Sequence, residues 1–340
     1  SKGTLGLITY MRTDSLRITP EAQEAARSLI SHKYGAQYTP KSPRIYKTGK
    51  NAQDAHEAIR PTDVTILPES IKEAVSADLY KLYKLIWERF VASQMSNAVY
   101  DTLNAEFDAS GATFRASSKA LKFAGYRAVY IDGSEENEEK DEKSLIKIEE
   151  GMHLQAGEIE QEQHFTEPPA RYTEASLVKK MEELGIGRPS TLSTVVETIQ
   201  SRKYVEQRSV DGIKRSYNVL TLINGKITDK QKSEIAGADS GKLLPTDLGR
   251  IANDFLVDQF PAILSYDFTA DCEESFDAIA AGEANWVKTV DEFYKTFHPL
   301  IQKVPAGKMA ARFVGNHPQT GEPILARITK NGPCVQLGNS

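Results

Sequence analysis

Cysteine is scarce. Two thiols, Cys272 and Cys334, in 340 residues exclude a disulfide framework and a zinc ribbon. No apolar run reaches the roughly eighteen residues of a membrane span, and no basic stretch with an apolar core opens the chain, so a cytoplasmic location is the default expectation. A Walker A loop is missing, which sets aside P-loop nucleotide hydrolysis, and so is an Asp-x-Asp-x-Glu run of metal-binding acids. The Arg…His-x-x-Arg constellation of tyrosine recombinases is absent as well.

What is present is an ordinary globular composition, 40% hydrophobic and 26% charged, with length for two or three domains. The net charge of -5 argues against a nucleic-acid partner only as an average. Residues 1–60 carry ten Lys/Arg against five Asp/Glu, residues 134–167 three against twelve, and residues 303–340 five against one. A chain basic in selected regions and acidic in between suits a protein that grips a phosphate backbone with particular faces.

The first basic region holds the densest chemistry, Leu5–Ser15, LGLITYMRTDS. Its apolar run predicts a short buried strand that Tyr10 leaves with its hydroxyl toward the following polar turn, where Arg12 and Asp14 sit. A phenol is a weak nucleophile, and ionising one at neutral pH costs ~4 kcal/mol that nearby cations must offset. Phosphate is the natural target, because the guanidinium fork that favours a phenolate also clamps phosphate oxygens. A second candidate, AQDAHEAIRPT at Ala52–Thr62, predicts a short helix ended by Pro61. There His56 and Arg60, four apart, would share a face and offer an imidazole and a guanidinium to one phosphate.

Between and beyond these, Thr19-Pro20-Glu21 predicts a helix running to about Tyr34 and stopping at Gly35. Residues 36–52 read as a basic loop. Over Pro68–Met95, Leu79, Leu82, Tyr83, Ile86, Phe90 and Val91 recur at helical spacing as core, closing a helical first domain over residues 1–97. Residues 98–168 predict a β-rich domain: AVYDTLNAEF, TFRASSKAL and GYRAVYI alternate apolar with polar and are broken by Ser110-Gly111 and Gly125, further strands fall near Ser144–Ile148 and Met152–Leu154, and EENEEKDEK is a solvated loop. A helical domain follows over residues 169–303. Thr173 caps a helix to Leu184, Gly185 ends it, and Pro189 precedes another over Ser190–Arg202, a helix-turn-helix-like unit with a hairpin after it at Tyr204–Leu220, turning at Asp211-Gly212. The second helix's N-terminus offers free N–H groups and a favourable dipole to an anion, with Arg188, Ser190 and Thr191 adding donors. Thr246 and Thr269 predict later caps, and Gly282 a later stop. Residues 304–340 form a small basic tail with turns at NHPQTGEPI and NGPCVQLG.

Three stretches, LITYMRTDS, AQDAHEAIRPT and EASLVKKMEELGIGRPST, resemble in sequence, order and spacing the bacterial type IA DNA topoisomerases, and the resemblance runs over nearly the whole chain. It implies an α+β multidomain piece of a toroid: a helical gate domain bearing the nucleophile, a β arch, a winged-helix-like domain for single-stranded DNA, and part of a C-terminal repeat. It also implies that Tyr10 attacks a phosphodiester of single-stranded DNA to form a 5′-phosphotyrosyl link, that Arg12 holds the scissile phosphate, that Asp14 orients Arg12, that His56 assists with Arg60 in support, and that Arg188, Ser190 and Thr191 hold the strand upstream. Relaxation of negatively supercoiled DNA without ATP, by a monomer, follows by the same resemblance. Family members draw their Mg²⁺-binding acids from a TOPRIM domain preceding the first residue here, which implies that this chain alone binds no metal and lacks cleavage activity. Met11 favours a relaxing enzyme over a decatenating relative, in which proline usually follows the tyrosine; a non-catalytic single-strand-binding module is the other reading. Leu192 departs from the family, where an aromatic commonly stands.

Overall fold

Proline at a first helical position is preorganised for the turn and loses no bond there, and an acid beside it complements the dipole. The chain obeys: α1 spans Pro20–Lys33, with Tyr34 as its cap and Gly35 beyond it at φ 106°. The computed structural model describes residues 6–47, 56–131, 147–304, 311–329 and 332–338, in two compact units, residues 1–155 and 156–340.

In the first unit α2 (Pro68–Ile71) and α3 (Ala77–Ser93) close over α1. Their shared core is Ala26, Ile30, Val64, Ile71, Tyr83, Trp87, Phe90, Val91 and Met95. Its two polar aromatics reach backbone: the Trp87 indole donates to the Val64 carbonyl at 2.9 Å and the Tyr83 hydroxyl to that of Ile66 at 2.8 Å. Burial, with the Asp63 charge adding to it, pushes the Tyr83 phenol up to about 12, so it stays a donor. Leu79 and Leu82, predicted as core, are exposed, while Trp87 is buried. At about 100° per residue the buried stripe runs 83, 87, 90, 91; Leu82 lies a quarter turn off it, and Leu79 stands in the first turn, beyond the core's edge.

Glu88 borders this core beside Lys84, at 3.6 Å. Burial chiefly, with repulsion from Glu69, holds its carboxyl above the ordinary range against the pull of Lys84. A carboxyl that binds its proton more tightly when folded adds stability fully present below the unfolded value, and that stability is lost as pH rises through the folded one. Glu88→Gln is therefore expected to raise the melting temperature by on the order of 1–3 °C at pH 7.5 and to leave it unchanged at pH 3.5; an equal change at both pH values would contradict this.

The β-rich stretch is a two-stranded ribbon, β1 (Val99–Ala109) with β2 (Ala112–Phe123), turning at Ser110-Gly111 as predicted. GYRAVYI is no strand: Gly125–Ala128 form a 3₁₀ turn, and the Tyr126 N–H bonds the Ser96 carbonyl instead of a ladder partner. Gly125 is the reason. Its φ is +52°, and a Cβ there would lie 2.3 Å from the Asn97 carbonyl oxygen, so the chain can cross the ribbon's root only with glycine. Met152–Leu154 is irregular, as are Lys147 and Ile148, and residues 144–146 of that expected strand lie outside the described residues.

In the second unit the strand falls later, at β3 (Glu158–Glu162). Helices α4 (Glu174–Glu183) and α5 (Leu192–Ser201) follow, then β4 (Val205–Val210), β5 (Ile213–Ile223), β6 (Lys226–Ala236) and β7 (Asp239–Pro245). Thr173 caps α4 in a reciprocal capping box with Ser176. The predicted β4–β5 hairpin does not form: β4 pairs with β7, and β5 lies between β3 and β6, all antiparallel. The tight turn is Asn224-Gly225, both at positive φ (49° and 75°), the combination that matches strand twist in a two-residue hairpin. These four strands make the region mixed α and β where a helical domain with one hairpin was expected.

Beyond the sheets come α6 (Asp247–Gln259), capped by Thr246, α7 (Phe268–Ala280) and α8 (Trp286–Lys303). Thr269 is not a cap. Helix α7 begins one residue before it, at Phe268, and Asp267 stands at the N-cap. The tail is a three-stranded antiparallel meander, β8 (Ala311–Asn316), β9 (Pro323–Thr329) and β10 (Gly332–Leu337), with the predicted turn between the first two strands.

Candidate active site

The segment carrying Tyr10 is held by backbone from far along the chain. Residues 6–9 lie antiparallel to 60–62, with Thr9 N–H to the Arg60 carbonyl at 2.9 Å, Thr62 N–H to that of Leu7 at 3.1 Å, and a bridge pairing Ile8 with Pro61. The Thr9 hydroxyl accepts from the Arg60 N–H at 3.0 Å and donates to the Ala58 carbonyl at 2.8 Å. Eight residues later the chain returns to the same place: the Ala58 N–H donates to the Arg17 carbonyl at 2.8 Å, and the Arg17 Nε to that of His56 at 3.3 Å. Residues 10–16 thus form a loop closed on Ala58 at both ends. Inside it the buried Ser15 hydroxyl accepts from the Arg17 N–H, and the Thr13 hydroxyl from the Ser15 N–H.

This pairing sets Tyr10 and His56 side by side, ring centroids 6.0 Å apart and tilted by 51°. Tyr10 is 59% exposed, so a ligand can reach its hydroxyl. Arg12 and Asp14 are exposed on the same loop and, among the described residues, form no ion pair with each other.

Arg60 does not join them. Residues 56–60 are not helical, because their backbone groups pair with residues 9 and 17 and have no helical ladder; residues 52–55 of the expected helix lie outside the described residues. The Arg60 guanidinium turns inward to Glu57, at 2.8 and 3.1 Å, and to the Pro61 carbonyl at 2.9 Å. The four-residue spacing that was to align it with His56 has no helix to act through.

In the second unit, α5 starts at Leu192, two residues later than predicted, with Thr191 as its N-cap. The Thr191 hydroxyl turns back on Arg188, accepting from its N–H at 3.0 Å and donating to its carbonyl at 3.1 Å, while Ser190 is exposed. The Arg188 guanidinium meets Glu273 at 2.9 Å and Asp277 at 3.4 Å. The hydrogen bond to Glu273 foremost, then the two carboxylate charges, hold it above the usual arginine range against the opposing effect of burial. Leu192 is buried against Met181 and Val196, so this position is core and presents no stacking face. A groove of about 310 Å³ opens beside Thr191, lined also by Thr194, Val195, Thr198 and Ile199. Sequence reading stopped at GRPST, although Thr191, Thr194, Val195 and Thr198 have the spacing of one helix face.

A tyrosine and an arginine exposed on one loop, with an imidazole beside the tyrosine, can engage a phosphodiester. The match to known proteins decides which kind of chain this is: the family model for DNA topoisomerase matches residues 3–234. The chain belongs to the type IA DNA topoisomerase family. It is 42% identical over 306 residues to DNA topoisomerase 1 of Rickettsia bellii (strain RML369-C), a match covering 89% of this chain and 34% of the relative. Full-length topoisomerase I from Thermotoga maritima superposes with a TM-score of 0.70 at 28% identity, over 99% of this chain and 49% of that one. The chain therefore spans about a third of the curated relative and half of the solved enzyme. The mixed α+β architecture with antiparallel sheets is that of a type IA topoisomerase. Among the described residues no three His, Cys, Asp or Glu side chains gather where they could hold a metal ion, and no helix is long and apolar enough to cross a membrane.

Proposed function

We propose that this chain supplies the nucleophile, gate and part of the single-strand-binding surface of a bacterial type IA topoisomerase, and that Tyr10 carries the covalent step. The supporting observation is the loop pinned at both ends on Ala58, which holds an exposed Tyr10 beside His56. The phenol oxygen bonds phosphorus and the bond from phosphorus to the 3′ oxygen breaks; the phenol proton is lost and the 3′ oxygen gains one. A 5′-phosphotyrosyl link and a 3′-hydroxyl result, with no net change in the number of phosphoester bonds, so religation is the same step reversed. Arg12 binds the non-bridging oxygens, where a planar fork acts best. His56 adds a donor to that phosphate, Asp14 orients Arg12 once DNA is bound, and Arg60 supports the loop through its bonds to Glu57 and Pro61.

Residues 1–97 serve as the gate domain, 98–168 as the arch, 169–303 as the DNA-binding domain, where Arg188, Ser190 and Thr191 hold the strand upstream, and 304–340 as part of a basic repeat. The whole enzyme relaxes negatively supercoiled DNA in the bacterial cytoplasm as a monomer without ATP. Mg²⁺, which TOPRIM acids of the whole enzyme would hold, would assist the phosphate chemistry.

The test mixes this chain with a separately expressed TOPRIM segment, Mg²⁺ and end-labelled single-stranded DNA. A denaturation-resistant adduct carrying the DNA 5′ end is the expected result. Adduct on the 3′ end would overturn the assignment, and binding without any adduct would leave a single-strand-binding module.

A further inference from the structure

The guanidinium that the proposed function assigns to the DNA strand is already occupied. Arg188 lies between Glu273 and Asp277, successive turns of one face of α7. That face is seated on the α4–α5 turn: Ala270, three residues before Glu273, lies 3.2 Å from where a Cβ on Gly185 would sit. The Arg188 side chain retains 30% exposure, and the two carboxylates 29% and 70%. One guanidinium facing two carboxylates leaves a local charge of one negative unit, which repels a phosphate, while the fork that carboxylates fill is the fork phosphate oxygens fit.

We propose that Glu273 and Asp277 act as a built-in competitor for the DNA phosphate, a latch that Arg188 leaves only when a strand displaces it. Arg188 is then a conditional contact. A strand held at further points, along the groove lined by Thr191, Thr194 and Thr198, can make the exchange; an isolated phosphate cannot. The two acids so determine affinity and selectivity without touching DNA. This inference rests on the DNA-binding reading of Arg188.

The experiment measures fluorescence anisotropy of a labelled single-stranded oligonucleotide with this chain at constant moderate salt. Glu273→Gln with Asp277→Asn is expected to tighten binding about three- to tenfold. Removing charge near DNA raises affinity by itself, so Asp271→Asn with Glu274→Gln, a matched change on α7 at residues that do not contact Arg188, serves as control and is expected to change binding less than about twofold. In an Arg188→Ala background the gain is expected to vanish, as a pairwise coupling requires. Weaker or unchanged binding in the first variant, an equal gain in the control, or a gain that survives Arg188→Ala would each overturn the latch. No binding by any form, wild type included, at low salt removes the DNA reading itself and the latch with it. Thermal melts of all forms separate loss of fold from loss of binding.

Discussion

Tyr10→Phe is expected to lower covalent adduct formation by at least on the order of 10⁴-fold in the reconstituted reaction, with binding of single-stranded DNA unchanged within about twofold. The change deletes one oxygen. The ring that lies 6.0 Å from His56 remains, the loop is pinned through Thr9 and Arg17 and not through the phenol, and at 59% exposure the side chain contributes little to the core. The deleted oxygen is the nucleophile of the proposed step, so the expected signature is chemistry lost with affinity and melting temperature intact. Adduct persisting near the wild-type level would show that another residue is the nucleophile. A large fall in melting temperature would show instead that Tyr10 is structural.

The second large effect is on stability. Gly125→Ala is expected to cost about 3–5 kcal/mol and to lower the melting temperature of the first unit by roughly 10 °C. Two terms add: a left-handed backbone unfavourable to any residue with a Cβ, and contact with the Asn97 carbonyl oxygen at 2.3 Å and its carbon at 2.4 Å. Backbone cannot rotate away as a side chain can. This backbone is also tethered: the Ser96 N–H bonds the Tyr38 carbonyl at 2.8 Å, the Ser96 hydroxyl that of Gln37 at 3.1 Å, and Arg44 the Asn97 side chain at 2.7 Å. Gly111→Ala is the internal comparison. Its φ is also positive, at +88°, but nothing lies within 4 Å of the added atom, so only the conformational cost of about 1 kcal/mol should appear. Equal losses at the two sites would refute the steric account.

Elements with a local cause were legible in the sequence. Pro20 starts α1, Thr173 and Thr246 cap their helices, and Ser110-Gly111 turns the β1–β2 ribbon, because each signal acts within a few residues. The misses were decided at a distance. Alternation in GYRAVYI suggested a strand, but the crossing at Asn97 forces Gly125 into a turn. Asp211-Gly212 suggested a hairpin, yet β4 finds its partner in β7 and β5 in β6, while Asn224-Gly225, the stronger turn, went unread. At the site, the sequence singled out Tyr10 and His56, and the structure brings them together. It misplaced Arg60 on a helix face with His56, because a four-residue spacing has meaning only on a helix and these residues pair as extended chain. Arg188 was visible as a donor; the carboxylates on α7 that occupy it were not, being 85 and 89 residues away.

The pinning of the Tyr10 loop on Ala58 also fixes when the loop can form. Its tethers join residues 39 to 51 apart, and closing so long a stretch of free chain costs about 3–4 kcal/mol before any contact returns it. Helix α1 and the stretch after it lie inside that interval and shorten it once they have packed on α3. The loop therefore closes late, onto a core already assembled. A partly folded chain carries the tyrosine but not the arrangement around it, so the chemistry proposed for Tyr10 would arrive only with the finished domain.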